Sequence, residues 1–286
     1  MQTAVRISEP CPERVPSCPE EDAYYYGHRT VLEYDENGRE LYYYRPLTPD
    51  DFLDPEEGDV FMQGTLHEKD LDDLKSIFRG HLQNRKNITV YSDMKIVWGI
   101  PGLSSPAPDI SIFENVRDPE KPRSVFSVAE EGVKPFFILE LVSPRYRRED
   151  ILRKPEIYRR AGVAEYIIAD PGLRRSELSE ISYTVQGYRL RGKNRYELLV
   201  PDARGRIYSH TTDLWIGPSE SGDRIIIYNG KTDEPILPAH QRANLAESRA
   251  EQEKARAEQE KARADSAEQE LTVLREKLKA LGISAQ

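Results

Sequence analysis

Apolar and polar positions along this chain change their period several times, and each change marks an element. Residues 30–45 alternate: Thr30-Val31-Leu32-Glu33-Tyr34, a break at Asp35-Glu36-Asn37-Gly38, then Glu40-Leu41-Tyr42-Tyr43-Tyr44. Two β-prone runs around an Asn-Gly predict a hairpin. The tyrosine triplets 24–26 and 42–44 are expected to pack on a core from that amphipathic hairpin, with base stacking as the alternative. Thr48-Pro49-Asp50-Asp51-Phe52-Leu53 reads as a helix start, Thr48 capping and Pro49 first. Leu71, Leu74, Ile77 and Phe78 recur at helical spacing and predict an amphipathic helix within 65–78.

Strands are predicted at Val90-Tyr91, Met94–Trp98, Pro108–Phe113 and Pro135–Val142, the last apolar throughout except for Glu140. Asp150–Ala161 reads as a helix ended by Gly162. Ala164–Asp170 is a further strand, closed by Pro171-Gly172. Val185–Arg191, Tyr196–Val200 and Arg224–Tyr228 read as a meander with Gly-bearing turns. This order predicts an α/β (α+β) core with a mixed central β-sheet flanked by helices.

From about residue 241 the pattern becomes heptadic. Ala250–Arg256 repeats without change as 257–263. With Ala243, Ala250, Ala257, Ala264, Leu271 and Leu278 at position a, position d holds Ala246, Glu253, Glu260, Ala267, Leu274 and Leu281. The seam is strong at its leucine end and weak where Glu occupies d. A C-terminal helical coiled-coil tail and a homodimer through it are expected; a solvated single helix held by Glu–Lys pairs is the alternative. The domains are therefore drawn as a disordered, Pro-, Glu- and Ser-rich leader over 1–23, a β-hairpin extension over 24–45, a globular domain over 46–240 and the tail over 241–286.

The 286 residues allow one sizeable domain plus appendages, and the two ends explain why 32% are charged and only 38% apolar. No run approaches the roughly 18 apolar residues of a membrane span, and Met1–Ser8 lacks the basic start and apolar centre of a signal peptide. The expectation is a cytoplasmic protein with no membrane partner. Cys11 and Cys18 lie in the leader without histidine neighbours and read as ordinary thiols. The net charge of −9 is unevenly spread. Residues 1–60 carry 15 acidic and 5 basic side chains, whereas residues 61–240 are close to neutral and 145–160 carry a net +4. A polyanionic substrate is not excluded, although the balance argues against a broad basic DNA-binding surface.

Candidate chemistry centres on Asp109, Glu140 and Lys154. Two carboxylates set in apolar, strand-like runs are costly to bury unless something neutralises them. A hard divalent cation would, since Mg²⁺ takes one or two carboxylates and completes its shell with water and phosphate oxygens. Lys154 follows on the next predicted helix, where it could orient an attacking water, and Tyr158 lies four residues on along the same face. The same residues also read as two acids satisfied by Arg145 or Arg147 at a strand end, and Lys154 by itself as a surface lysine.

Ala107-Pro108-Asp109, Glu140-Leu141-Val142-Ser143-Pro144, Asp150, Lys154, Tyr158, Gly162–Tyr166 and Asp170-Pro171 occur in an order that resembles the bacterial Uma-two family. Its members are usually labelled restriction endonucleases of the PD-(D/E)XK superfamily. The likeness covers roughly 46–237, and a charged tail ending in Leu281-Gly282-Ile283 also fits. The resemblance implies a restriction-endonuclease-like core and a Mg²⁺- or Mn²⁺-dependent site hydrolysing DNA. It makes Asp109, Glu140 and the Leu141 backbone carbonyl metal ligands, with Lys154 catalytic. Val142 stands where the superfamily's Glu-x-Lys has its lysine, so Lys154 would act from the helix instead. Glu68, His67 and Tyr158 are additional candidates, and Arg145, Arg147 and Arg148 are candidates for contacts to flanking phosphates. The competing reading is a catalytically weak or inactive scaffold that works through its helical tail.

Overall fold

The computed structural model describes residues 24–62, 65–172, 182–192 and 194–280. The predicted leader with its two cysteines and the Leu281-Gly282-Ile283 end lie outside the described residues. Strands β1 (Gly27–Tyr34) and β2 (Glu40–Pro46) form the hairpin, and β3 (Asp59–Phe61) joins the other edge of β1. Asp35 organises the turn, its Oδ1 accepting from the N–H groups of Asn37 and Arg39 at 2.8 Å each. The register pairs Leu32 with Tyr42 and Thr30 with Tyr44. The face they share points outward, leaving Tyr34 65% and Tyr42 51% exposed. Packing on a core is thereby overturned for Tyr42 and Tyr44, while Tyr43 alternates to the other face and is half-buried. The inward face is ionic: Arg29 and Arg45 both reach Asp51, at 3.3 and 2.7 Å. Alternation shows which residues share a face but not which face turns in.

Helix α1 (Pro49–Leu53) carries the expected cap, Thr48 and Asp51 bonding reciprocally. Helix α2 (Thr65–Leu82) buries Leu71, Leu74, Ile77 and Phe78. Next come β4 (Ile88–Tyr91), β5 (Lys95–Val97), β6 (Ile110–Glu114), β7 (Val125–Ser127), the short α3 (Val128–Glu131) and β8 (Phe137–Leu141). A π-helical turn (Glu149–Arg153) leads into α4 (Lys154–Ala161), which Gly162 ends in the left-handed conformation, φ 74°. Then follow β9 (Glu165–Asp170), β10 (Thr184–Arg191), β11 (Arg195–Leu198), β12 (Ile207–Ser209), β13 (Leu214–Pro218), β14 (Ile225–Asn229) and α5 (Ala239–Ala280).

The central sheet runs β11-β10-β9-β8-β6-β4. Only β8 and β9 are parallel; the other neighbours are antiparallel, so the sheet is mixed as expected. Parallel neighbours need a crossover, and the π turn with α4 supplies it. The predicted meander divides: β10 and β11 extend the central sheet, while β12, β13 and β14 form a separate three-stranded sheet. β5 also leaves the central sheet, pairing in parallel with β7.

Two apolar clusters cover the two faces of the central sheet. One joins Phe137, Leu139 and Leu141 to α2 and to the β12–β14 sheet; the other joins Ile138 and Val142 to α4 through Ile157 and Tyr158. Strand periodicity puts Glu140 on the Ile138 face, beneath α4. A second unit begins at Leu237; in it α5 runs 42 residues with none buried.

Candidate functional site

Glu140 sits near the end of β8, every residue of which is buried, and is itself 2% exposed. Asp109 immediately precedes β6. Continuing the Ile110–Leu139 register by one step sets Asp109 beside Glu140. Reciprocal bonds fix the pair: Leu141 N donates to Asp109 Oδ2 at 2.7 Å, and Asp109 N donates to Glu140 Oε2 at 3.3 Å. Both side chains line one cleft of about 660 Å³, with His67, Asp93, Leu141, Asp150 and Phe52 among its walls. The two carboxylates therefore meet on one side of the sheet.

Lys154 is no surface residue. Its side chain is 1% exposed, and its ammonium lies 2.9 Å from Glu140 Oε1 and 2.7 Å from Asp150 Oδ1. It also lies 4.3 Å from the centre of the Phe52 ring. Tyr158 donates its hydroxyl to Glu140 Oε1 at 2.6 Å. The π turn replaces the first turn of the expected helix and places Asp150 four residues before Lys154, buried against it. Widened turns of this kind often mark functional sites in helices. His67, in the first turn of α2, brings Nε2 to 3.2 Å from Asp109 Oδ1.

Three buried acids thus face one ammonium and one imidazole, and their protonation reflects the mismatch. Burial raises the Glu140 carboxyl to about 8, and Asp109 and Asp150 add to the rise while Lys154 opposes it. Burial likewise raises Asp150 to about 6, against the pull of Lys154. Asp109 goes the other way: burial works upward, but His67 and Lys154 hold it below the ordinary carboxylate value. His67 is raised, Asp109 outweighing burial, and Lys154 is raised because its carboxylates outweigh burial. The ammonium stays charged, and the surplus proton resides on the acids around it.

A hard cation suits this donor set in one respect. Lys154 and Tyr158 occupy Glu140 Oε1, while Oε2 has only the long bond from Asp109 N. Asp109 Oδ2 is held by Leu141 N, leaving Oδ1 to His67. One oxygen from each acid plus the Leu141 carbonyl fits an ion that keeps most of its shell as water and phosphate. It does not make a closed cage: among the described residues, no group of three or more His, Cys, Asp or Glu side chains is arranged around a metal position.

Other candidates lie elsewhere. Glu68 is exposed on α2 and is not part of the cleft wall. Arg145 donates to Tyr25 O at 2.6 Å, and Arg147 pairs with Asp170 at 2.7 Å, so neither neutralises Asp109 or Glu140. Both line, with exposed Arg148, a separate hollow of about 370 Å³. The sequence placed Asp150 among the residues that carry the family resemblance but gave it no role in the site. The signal was available, since Asp150, Lys154 and Tyr158 recur every four residues on one helical face. Phe52 gave no such signal.

Among solved structures, one from Anabaena variabilis ATCC 29413, described as "a putative nuclease belonging to DUF820", overlays with a TM-score of 0.40 at 18% identity, covering 58% of this chain and 91% of that one. No curated protein matches the chain. No helix among the described residues is long and apolar enough to cross a membrane. Residues 44–215 match the model of the Uma2 family, whose description is "Putative restriction endonuclease". With its mixed sheet and its paired acids set against a buried lysine, the chain belongs to the Uma2 family.

Proposed function

We propose that this chain is a divalent-metal-dependent nuclease that hydrolyses phosphodiester bonds in DNA, acting in the cytoplasm. The observation that carries this reading is the convergence of Asp109, Glu140 and Lys154, 31 and 14 residues apart along the chain, at one end of the β6–β8 pair. Asp109, Glu140 and the Leu141 carbonyl would hold Mg²⁺ or Mn²⁺. When bound, such an ion polarises the scissile phosphate and lowers the pKa of an attacking water. The protein's own part is positional and electrostatic. Tyr158 fixes the rotamer of Glu140, and Leu141 N that of Asp109. Lys154 keeps a permanent positive charge beside the acids, where it opposes the negative charge developing on phosphate oxygens. Arg148, exposed at the neighbouring hollow, is the arginine of its trio best placed to meet a flanking phosphate. The globular part over 46–240 holds the catalytic domain, and 241–286 is an assembly device that pairs two copies.

One observation favours the scaffold reading. Glu57 and Asp93 also line the cleft, together with Lys95 and with Glu56 and Asp59, which pair with Arg29, so its lining stays acidic on balance and repels a polyanion that arrives without cations. A plasmid-nicking assay in Mg²⁺ or Mn²⁺, with Glu140→Ala alongside, separates the two. Metal-dependent nicking by the native chain, lost in the variant, supports the nuclease. Equal inertness on several DNA substrates gives the scaffold reading precedence. Truncation after residue 240 is expected to lower the oligomer mass measured by light scattering, from two copies to one; an unchanged number of copies removes the tail from assembly.

A further inference from the structure

The Lys154 ammonium meets three groups: Glu140 Oε1 at 2.9 Å, Asp150 Oδ1 at 2.7 Å and the face of Phe52 at 4.3 Å. Glu140 is held independently by Tyr158, and Asp109 by Leu141 N and His67. Asp150 is different. Among the described residues its carboxylate makes one ion pair, with Lys154 four residues on, across the π turn that precedes α4. A buried carboxylate next to two others is unfavourable unless a paired cation compensates its charge.

We propose that Asp150 is a positioning residue that holds the Lys154 ammonium forward against Glu140 and keeps it from turning away when other ligands compete for the Glu140 carboxylate. This rests on the nuclease reading for its kinetic consequence but not for its structural one. Lysine is a flexible point charge, and a single carboxylate leaves it free to swing. Two carboxylates and a ring face fix its position. The π turn is then a device that rotates Asp150 onto the same side as Lys154.

The test uses the full chain in four forms: native, Asp150→Asn, Lys154→Met and the double variant. In a Mn²⁺-dependent nicking assay, Asp150→Asn is expected to lower kcat 10- to 100-fold with KM within twofold. In the Lys154→Met background it should cost less than twofold more, since a residue that works through the lysine has nothing left to position. A full additional loss in the double variant, or native kcat in Asp150→Asn, overturns the proposal. A second readout needs no activity. In metal-free protein labelled with ¹⁵N-lysine, the Lys154 Nζ signal, assigned by its absence from Lys154→Met, should shift or broaden in Asp150→Asn with the melting temperature nearly unchanged. An unmoved signal refutes positioning even if no DNA is ever cut, while a moved signal in a chain that cuts nothing leaves positioning standing and sinks the nuclease. Should Asp150→Asn fail to fold, recovery of folding in the double variant supports coupling through Lys154, and failure of both overturns it.

Discussion

Replacing Glu140 by Gln in the metal-free chain removes one titrating group and hardly changes its shape. Glu140 carries its proton up to about 8 in the folded protein, against 4.5 for the unconstrained side chain. Between those values the folded state binds a proton that the unfolded state releases. A group with a raised carboxyl pKa therefore loses stability as pH rises through that window, at about 1.4 kcal/mol per pH unit. Over the whole interval the loss is about 5 kcal/mol. His67 and Asp109 contribute pH dependences of their own, which largely cancel in the comparison of native and variant. The assay is urea denaturation in EDTA at half-unit steps from pH 5 to 9. The native chain should lose stability relative to Glu140→Gln by several kcal/mol across the range, most steeply between pH 5 and 8. A native-minus-variant difference that is flat over that range refutes the argument, because it means that Glu140 is ionised throughout and the three buried acids are not short of positive charge.

Divalent-ion binding by the same carboxylates must displace that proton, so calorimetric affinity for Mn²⁺ is expected to rise with pH to about 8; an affinity independent of pH contradicts it. Tyr158→Phe removes the hydroxyl donated to Glu140 Oε1. It should cost about 1–3 kcal/mol in urea denaturation, and more at pH 9, where the carboxyl is ionised, than at pH 6; the reverse order counts against it. Gly162→Ala forces a side chain into φ 74° at the end of α4, with a Cβ 2.3 Å from Lys134 Nζ. The conformational penalty is about 1–2 kcal/mol, and a melting temperature equal to the native one would show that the turn relaxes. Glu68→Ala should leave Mn²⁺ affinity within twofold while His67→Ala changes it, which calorimetry checks directly.

Much of the frame could be read from local pattern. Thr48 with Pro49 marked a helix start, the Leu71–Phe78 spacing marked the buried stripe of α2, and Gly162 marked the end of α4, because caps and stripes depend on residues a turn apart. Asp109 and Glu140 stood out because a charge inside an apolar strand is anomalous by itself. Their adjacency was only permitted by the 30 residues between them. The β6–β8 register made it fact.

What the chain alone determined, then, was a set of local preferences: where helices begin and stop, which residues share a face, and which acids are out of keeping with their surroundings. The tertiary structure decided the rest. It turned the tyrosine face of the hairpin outward by drawing Arg29 and Arg45 toward Asp51. It opened a π turn that sets Asp150 beside Lys154, and it closed Phe52 from a distant helix over the same ammonium. Those choices depend on burial and on charges brought together across the sheet. Neither quantity exists until strands far apart in sequence have paired.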